Sequence, residues 1–438
     1  MNQQQFNQLF SKYSHVIQYQ KFSYHGTVTN AFRQLQSYNP TFIVDNTPDY
    51  KNIKLLGICD YSEHQHIHQL QQNYNLYIGD LPSYFDCQLT TLPFSDEDLI
   101  QVYTPKILLV FKENTAFICH ISTEEEFLIG QEIILKVATT LIQDSHFKMP
   151  IIDDVLKIRS NMTKGKYDKM FLQAKRHLTD GDIFQVVLSQ KFTANSNILG
   201  IDVFERVCQV NPSPYQIYIE KGNNSIICTS PERLVKVENN VVEIVPIAGT
   251  RARKYDGKDN LRAHDLLNDP KELSEHLMLV DLGRNDVGKV STPGSIVVDN
   301  YCQIKYYQQV MHLISNISGQ LLPGKTKLDA LESTFPAGTV SGAPKKMAKK
   351  IIRHLEPESR GLYGGAIVIF TKDKLDACIA IRTIIKTDNR FSVQVGSGIV
   401  IEANCNSEYL ETLNKGRALI ETLASFYSKG AIYDFDYR

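Results

Sequence analysis

The chain lacks any real excess of charge: 47 lysines and arginines stand against 48 aspartates and glutamates in 438 residues. Without a basic surplus there is no electrostatic footprint for nucleic acid or an anionic membrane as a main partner. No apolar run reaches the ~18 residues needed to cross a bilayer. The opening MNQQQFNQLF is polar and lacks the basic start and apolar core of an export signal. The eight cysteines (Cys59, Cys87, Cys119, Cys208, Cys228, Cys302, Cys378, Cys405) include no C-x-x-C pair. Scattered thiols in a long chain without such a signal are expected to be reduced and mostly buried. These absences point to a cytoplasmic globular protein, long enough for one large domain or two or three smaller ones.

What is present is grouped. The first ~150 residues mix short strand-like runs, such as ILLVF and TAFICHI, with polar loops. A polar, turn-prone zone at 144–166 is the best boundary, followed by a helix from 161–164 to about 178. Strands are expected at IFQVVLSQKF, SIICT, VVEIVPI, GGAIVIF, ACIAIRTII and SVQVGSGIVIEA, with helices near 271–282, 344–355 and 407–427. Strands in groups, not in strict alternation with helices, favour an α+β protein with large, mainly antiparallel sheets.

Two stretches carry acids at the same spacing. In DPKELSEHLMLVDLGRND, Asp269 and Pro270 read as a helix cap and first position, with Glu272 and Glu275 three residues apart on one face. In NSEYLETLNKGRAL, Glu408 and Glu411 repeat that spacing, with Lys415 one turn further on. Each pair alone reads as capping or as helix-dipole complement. Together, four converging carboxylates would repel unless they shared protons or held a divalent cation, and oxygen-only ligands suit Mg²⁺. Both readings stand at this point.

Nearby features have plainer explanations. GRNDVGK imitates a phosphate-binding loop, but Val290 occupies the hydroxyl position and the stretch follows a helix. Gly283 is expected as a helix C-cap. His64, His66 and His68 in HQHIH read as a solvated strand or loop.

The stretches GDIFQVVLSQKF, NPSPYQIYIE, SPERL, PIAGTRAR, ELSEHLMLVDLGRND, FPAGTVSGAPK, YGGAIVIF, AIRTII and EYLETLNKGRAL follow in that order. Over roughly 155–425 the chain resembles the chorismate-utilising enzymes, most closely the anthranilate synthase large-subunit branch, lyases of tryptophan biosynthesis. The resemblance implies large sheets packed together and flanked by helices. It implies a chorismate-binding catalytic domain at 151–438. The N-terminal region, 1–150, would carry a candidate regulatory amino-acid site and a contact for an amidotransferase.

Chorismate is a dicarboxylate with a poor leaving group, hydroxide, so a general acid is needed. The resemblance implies Glu232 in that role and His312 near the departing hydroxyl. It implies Mg²⁺ held by Glu272, Glu275, Glu408 and Glu411, offsetting the ring carboxylate. Arg382, in an otherwise apolar strand, would grip the enolpyruvyl carboxylate with Tyr363 beside it. Lys415 would reach the other carboxylate, or else pair with Glu411 along its helix. Gly249, Thr250, Gly396 and Gly398 would line the substrate, the last two as interruptions of a strand. Thr339 sits in a Gly-rich stretch placed like an anion or hydroxyl contact.

Two positions discriminate between branches. Water-adding relatives, the isochorismate and salicylate synthases, carry a lysine base where this chain has Gln185, which cannot deprotonate water. Aminodeoxychorismate synthases usually carry an attacking lysine where this chain has Ala248. Gln185 with Ala248 selects ammonia as nucleophile and anthranilate as product; the other two branches are the alternatives. No cysteine sits in a glutamine-amidotransferase elbow, so a separate amidotransferase subunit is implied as partner. The basic run Lys345, Lys346, Lys349, Lys350 and Arg353 reads as a solvated helix face or as part of its docking surface. Feedback-inhibited relatives bind tryptophan through L-L-E-S; here FIVDNT is the local counterpart, so Asn46, Pro214 and Tyr215 form the candidate tryptophan site. The chain itself contains no tryptophan.

Overall fold

Alternation along the strands explains the layering. In Gln216–Lys221, Ile217 and Ile219 enter one core while Tyr218 enters another. In Ala366–Phe370, Ile367 and Ile369 face one side, and Ala366, Val368 and Phe370 face the other. Strands with two apolar faces must be covered on both, which packs them as inner layers beneath helices. The structure, a computed structural model, describes residues 3–50, 52–70, 76–143, 147–307 and 310–435. The boundary zone expected at 144–166 begins with three residues outside that set.

Among the described residues, 22 strands join through backbone pairing. The pairings are antiparallel apart from His15–Ser23 with Leu76–Tyr77 and Leu156–Ser160 with Ala431–Tyr433. The α+β expectation therefore holds. N-terminal strands enter the same network: Phe42–Asn46 pairs with Gln216–Lys221, and Gln88–Leu92 with Ala366–Phe370. An ionic seam reinforces this joint. Asp49 accepts from Arg233 at 3.1 Å and pairs with the almost fully buried Lys374. Burial works to raise the Asp49 pKa, but the Lys374 hydrogen bond and the charges of Arg233, Lys374 and Lys236 outweigh it and bring it to about 2. No described helix is long and apolar enough to cross a membrane.

Several expected elements are redrawn. The helix capped by Asp269 runs Pro270–Gly288, so Gly283 lies inside it and not at its end. A Cβ there would come within 2.6 Å of Ile244 and 2.8 Å of Ile317, so close helix–sheet packing explains this glycine. The single strand expected at ACIAIRTII is broken into Lys374–Ile379 and Thr383–Thr387, with Arg382 between them at φ 50°. Conversely, Gly396 and Gly398 do not interrupt Arg390–Ile399, which pairs with Gln185–Asn195 along its whole length.

Candidate active site

Two helix starts bring the four acids to one cleft. Asp269 caps its helix by accepting from the amides of Lys271 (3.0 Å) and Glu272 (3.3 Å), which leaves the Glu272 carboxylate free for other partners. Glu272 accepts from Arg251 Nη1 at 3.1 Å. Asn404 caps Cys405–Ala424 in the same way, so Glu408 and Glu411 project from its first turns. Glu411 pairs with Lys415 at 2.6 Å and Glu275 with Lys271 at 3.8 Å. The acids of both helices feel one another. Burial raises the Glu275 pKa, and Glu272 and Glu411 add to the effect. Burial, then Glu411 and also Glu275, push Glu408 up to about 7.

Among the described residues, no three His, Cys, Asp or Glu side chains are gathered closely enough to grip an ion. The donor set still fits a hard divalent cation: carboxylate oxygens only, mutually repulsive, around one cleft. Three of the four acids have cationic partners: Glu272 with Arg251, Glu275 with Lys271 and Glu411 with Lys415.

Glu232 lies at the entry to Arg233–Glu238, where alternation sends neighbours in opposite directions. Arg233 turns into the seam with Asp376, Glu243 and Asp49. Glu232 instead accepts the Thr339 hydroxyl at 2.8 Å. Burial raises the Glu232 pKa to about 7, against the opposing pulls of the Thr339 hydrogen bond and Lys415. A carboxylic acid is thereby kept partly protonated at neutral pH, as a general acid requires.

His312 is held by its Nδ1, 3.0 Å from both the Gly249 carbonyl and the Thr250 hydroxyl. The bond to a carbonyl requires the proton on Nδ1 and leaves Nε2 as the basic nitrogen. Burial lowers the His312 pKa, which favours the neutral ring. Gly249 is at φ 62°, and a Cβ there would lie 3.0 Å from Glu272 Oε2 and 2.9 Å from Leu266. The glycine therefore lets the His312 support and the acid cleft touch.

The remaining residues close the other wall. Arg382 donates to the Lys415 carbonyl at 2.6 Å and has no carboxylate partner among the described residues. Burial lowers its pKa, as expected for an enclosed cation awaiting an anion. Lys415 Nζ donates to the Gly396 carbonyl at 3.1 Å. A Cβ on Gly396 would stand 2.8 Å from the Tyr363 hydroxyl, and one on Gly398 would stand 2.6 Å from Gln185 Nε2. Both glycines thus permit close approach of a working side chain to backbone. Burial lifts the Tyr363 hydroxyl to about 12. Ala343 pairs with Gln185, so the 337–345 loop touches both Glu232, through Thr339, and Gln185.

Contacts and electrostatic neighbours join Glu232, His312, Gln185, Gly249, Thr250, Thr339, Tyr363, Arg382, Gly396, Gly398, Lys415 and the four acids into one network. Asn46, Pro214 and Tyr215 lie elsewhere. Asn46 donates to the Ser213 carbonyl at 3.0 Å, and the Tyr215 hydroxyl bonds Asp376 at 2.7 Å and Arg233 at 2.8 Å. Arg233 is the chain neighbour of Glu232, so that cluster is one residue removed from the acid. The basic run after Pro344 is not simply solvated. Lys345 is buried against Asp286, and Lys349 and Arg353 pair with Asp96 and Glu97. Sequence reasoning missed Arg251, Asp286 and Lys345 as site neighbours, although each sits inside a stretch that carried the resemblance. The buried Glu356–Arg360 pair, which braces the Gln185 strand through Ser189 and the Val187 carbonyl, has no signal beyond i, i+4 spacing.

A family model described as chorismate binding enzyme matches residues 3–421. Anthranilate synthase component 1 of Acetivibrio thermocellus is 46% identical over 270 residues, 61% of this chain and 55% of that protein. The chain thus spans little more than half the length of such curated relatives. Anthranilate synthase component I from Streptococcus pneumoniae superposes with a TM-score of 0.73 at 28% identity, covering 92% of each chain. The menaquinone-specific isochorismate synthase of Escherichia coli superposes at 0.78 with 18% identity, over 96% of this chain and 98% of that one, a likeness of fold alone.

Proposed function

The chain belongs to the chorismate binding enzyme family, and we propose that it is the synthase subunit of an anthranilate synthase. It would convert chorismate and ammonia to anthranilate, pyruvate and water. One observation carries the choice: an acid poised near neutrality, Glu232, is tied through Thr339 and the 337–345 loop to Gln185, which cannot activate water. A hydrating enzyme needs a base there; ammonia does not.

In this reading Arg382 receives the enolpyruvyl carboxylate, with the Tyr363 hydroxyl beside it, and Lys415 turns from Glu411 to the second carboxylate. Glu232 gives its proton to the ring hydroxyl, which leaves as water while ammonia adds to the carbon next to the one bearing the ring carboxylate. The neutral His312, held by Nδ1, would accept a proton at Nε2 as the ring becomes aromatic and pyruvate departs. Mg²⁺ belongs to the proposal: Glu272, Glu275, Glu408 and Glu411 would hold it, and its charge would offset the ring carboxylate. For the acids to do so, Arg251 and Lys415 must release Glu272 and Glu411.

An amidotransferase subunit would supply ammonia from glutamine, and tryptophan would act as feedback ligand at Asn46, Pro214 and Tyr215. The assay is the purified chain with chorismate, an ammonium salt at alkaline pH and Mg²⁺, followed by product identification. Fluorescent anthranilate is expected, with glutamine inert until a partner subunit is added. 4-Amino-4-deoxychorismate or isochorismate as product would overturn the assignment. Tryptophan binding without loss of turnover would remove the regulatory part alone.

A further inference from the structure

Two buried charges near the site have no task in that scheme. Asp286, at the end of GRND, and Lys345, just after SGAP, form an ion pair at 2.5 Å with side chains only 6% and 14% exposed. Lys345 gives a second hydrogen bond to the Thr334 carbonyl at 2.8 Å. Asp286 uses its other oxygen to accept from Lys289, a half-exposed residue, at 3.0 Å. Polar groups therefore run from solvent inward through Lys289, Asp286 and Lys345.

The inner end of that run opens on a cavity of about 50 Å³, and Glu232 and Thr339 line the same cavity. Its remaining walls are mostly apolar, among them Leu234, Ile244, Leu279 and Leu282. At about 10–15 Å³ per molecule this is room for about three to five waters, with polar partners at both ends to hold them. Lys415 and Tyr307, which interact electrostatically with Glu232, take no part in the lining of this cavity, nor do His312 and Arg382, so it is separate from the residues assigned to chorismate. Arg233 also borders it, with its guanidinium committed to Asp49, Glu243 and Asp376.

We propose that Asp286 and Lys345 are positioning residues that hold water behind Glu232, and that through this water the acid regains the proton it gives away. The inference rests on Glu232 being the acid of the reaction. The protons balance. Glu232 loses one to the departing hydroxyl, the newly formed ammonium group on the ring releases one to solvent, and one returns from solvent by way of the cavity. No net proton is consumed, and no further reactant is needed.

The test replaces the pair by apolar residues of similar volume, Asp286→Leu with Lys345→Met, a change that buried ion pairs often tolerate without loss of stability. The first readout needs no turnover: the infrared carboxyl band that is absent in Glu232→Gln. Drying the cavity removes solvation from the carboxylate, so this band should titrate at higher pH, with the acid dissociation constant down about tenfold or more. Ammonia-dependent kcat should fall about tenfold, while KM for chorismate and the unfolding midpoint stay in place. A second double variant, Asp286→Asn with Lys345→Gln, keeps the cavity polar and should recover most of the lost kcat. An unmoved band in the folded apolar variant overturns the proposal. So does a kcat loss accompanied by matching shifts in KM and unfolding midpoint, the signature of a purely structural pair. Should the apolar variant not fold, the Asn/Gln variant decides: a band displaced as far as drying would displace it overturns the proposal, and a band in place supports it. If the parent chain made no anthranilate, the functional assignment would fall on its own, and the band comparison would still decide whether this water serves Glu232.

Discussion

The Thr339 hydroxyl reaches the Glu232 carboxylate across 2.8 Å from a position 107 residues further along the chain. A hydroxyl that donates to a carboxylate favours its ionised form, so this contact opposes the upward push of burial. Thr339→Val removes the donor and should raise the Glu232 pKa above about 7. As the proposed general acid, Glu232 would work only when protonated, so its activity limb should fall as pH rises through that value. In the variant the limb should move to higher pH, while the plateau drops about threefold to tenfold because the acid is weaker. The measurement is kcat/KM for chorismate against pH with free ammonia held constant. A limb that stays in place would separate Thr339 from the acid.

Glu232 itself should trade stability for function. Its folded pKa of about 7 lies above the ordinary value of 4.5, so the folded state binds more protons between those values. Stability therefore declines as pH rises from 4.5 to 7, and the whole cost, up to ~3 kcal/mol, is present above 7. Glu232→Gln should unfold at a higher denaturant concentration than the parent at pH 8 and show no such gain at pH 4. Its kcat should fall by about two to four orders of magnitude. Equal stabilities at pH 8 would mean that the carboxyl is not perturbed.

Arg382 offers a comparable dissociation of binding from stability. Its guanidinium is enclosed without a carboxylate partner among the described residues, and burial lowers its pKa. Arg382→Met should raise KM for chorismate about 30-fold to 100-fold, the value of a lost charge-assisted fork. The unfolding midpoint should fall only slightly, because the hydrogen bond to the Lys415 carbonyl is lost but no ion pair is broken. A KM close to the parent's would place the enolpyruvyl carboxylate elsewhere.

The seam at Asp49 should govern acid stability. With a folded pKa of about 2 against 3.8, Asp49 contributes ~2 kcal/mol that is present above 3.8 and lost as pH falls towards 2. Asp49→Asn should therefore be less stable than the parent at pH 6, and the gap should close on acidification. Urea titrations at pH 6 and near pH 2.5 read this directly. Removing the partner of nearly buried Lys374 enlarges the loss at pH 6 by leaving a cation uncompensated.

Metal dependence rests on the acid cleft. EDTA should abolish ammonia-dependent turnover and Mg²⁺ should restore it. Glu411→Gln should raise the Mg²⁺ needed for half-activity at least about tenfold, with Mn²⁺ binding followed independently by electron paramagnetic resonance. Undiminished turnover in EDTA would sink the assignment.

Local chemistry alone determined much of this protein. Asp269-Pro270 placed one capped helix, and the repeated E-x-x-E spacing put two acids on one face of it and of a second helix, because caps and helical periodicity act within a few residues; the Asn404 cap of that second helix was not read from the sequence. The apolar runs placed fewer than half of the 22 strands, among them Gln185–Asn195 and Arg390–Ile399, and their grouping pointed to antiparallel sheets. Gln185 and Ala248 became informative once the resemblance aligned them with the lysines of other branches, since a missing amine is missing in every fold. Tertiary structure decided the rest. Gly283, which looked like a helix end, is instead a point where helix and sheet press together. Arg382 stands in a break between two strands, a backbone conformation that local propensity does not encode. Lys345, one of a basic run on paper, is buried against Asp286 behind the acid. Those outcomes depend on which distant side chains share a space, and burial, charge pairing and the perturbed acidity of Glu232 exist only once that space has closed.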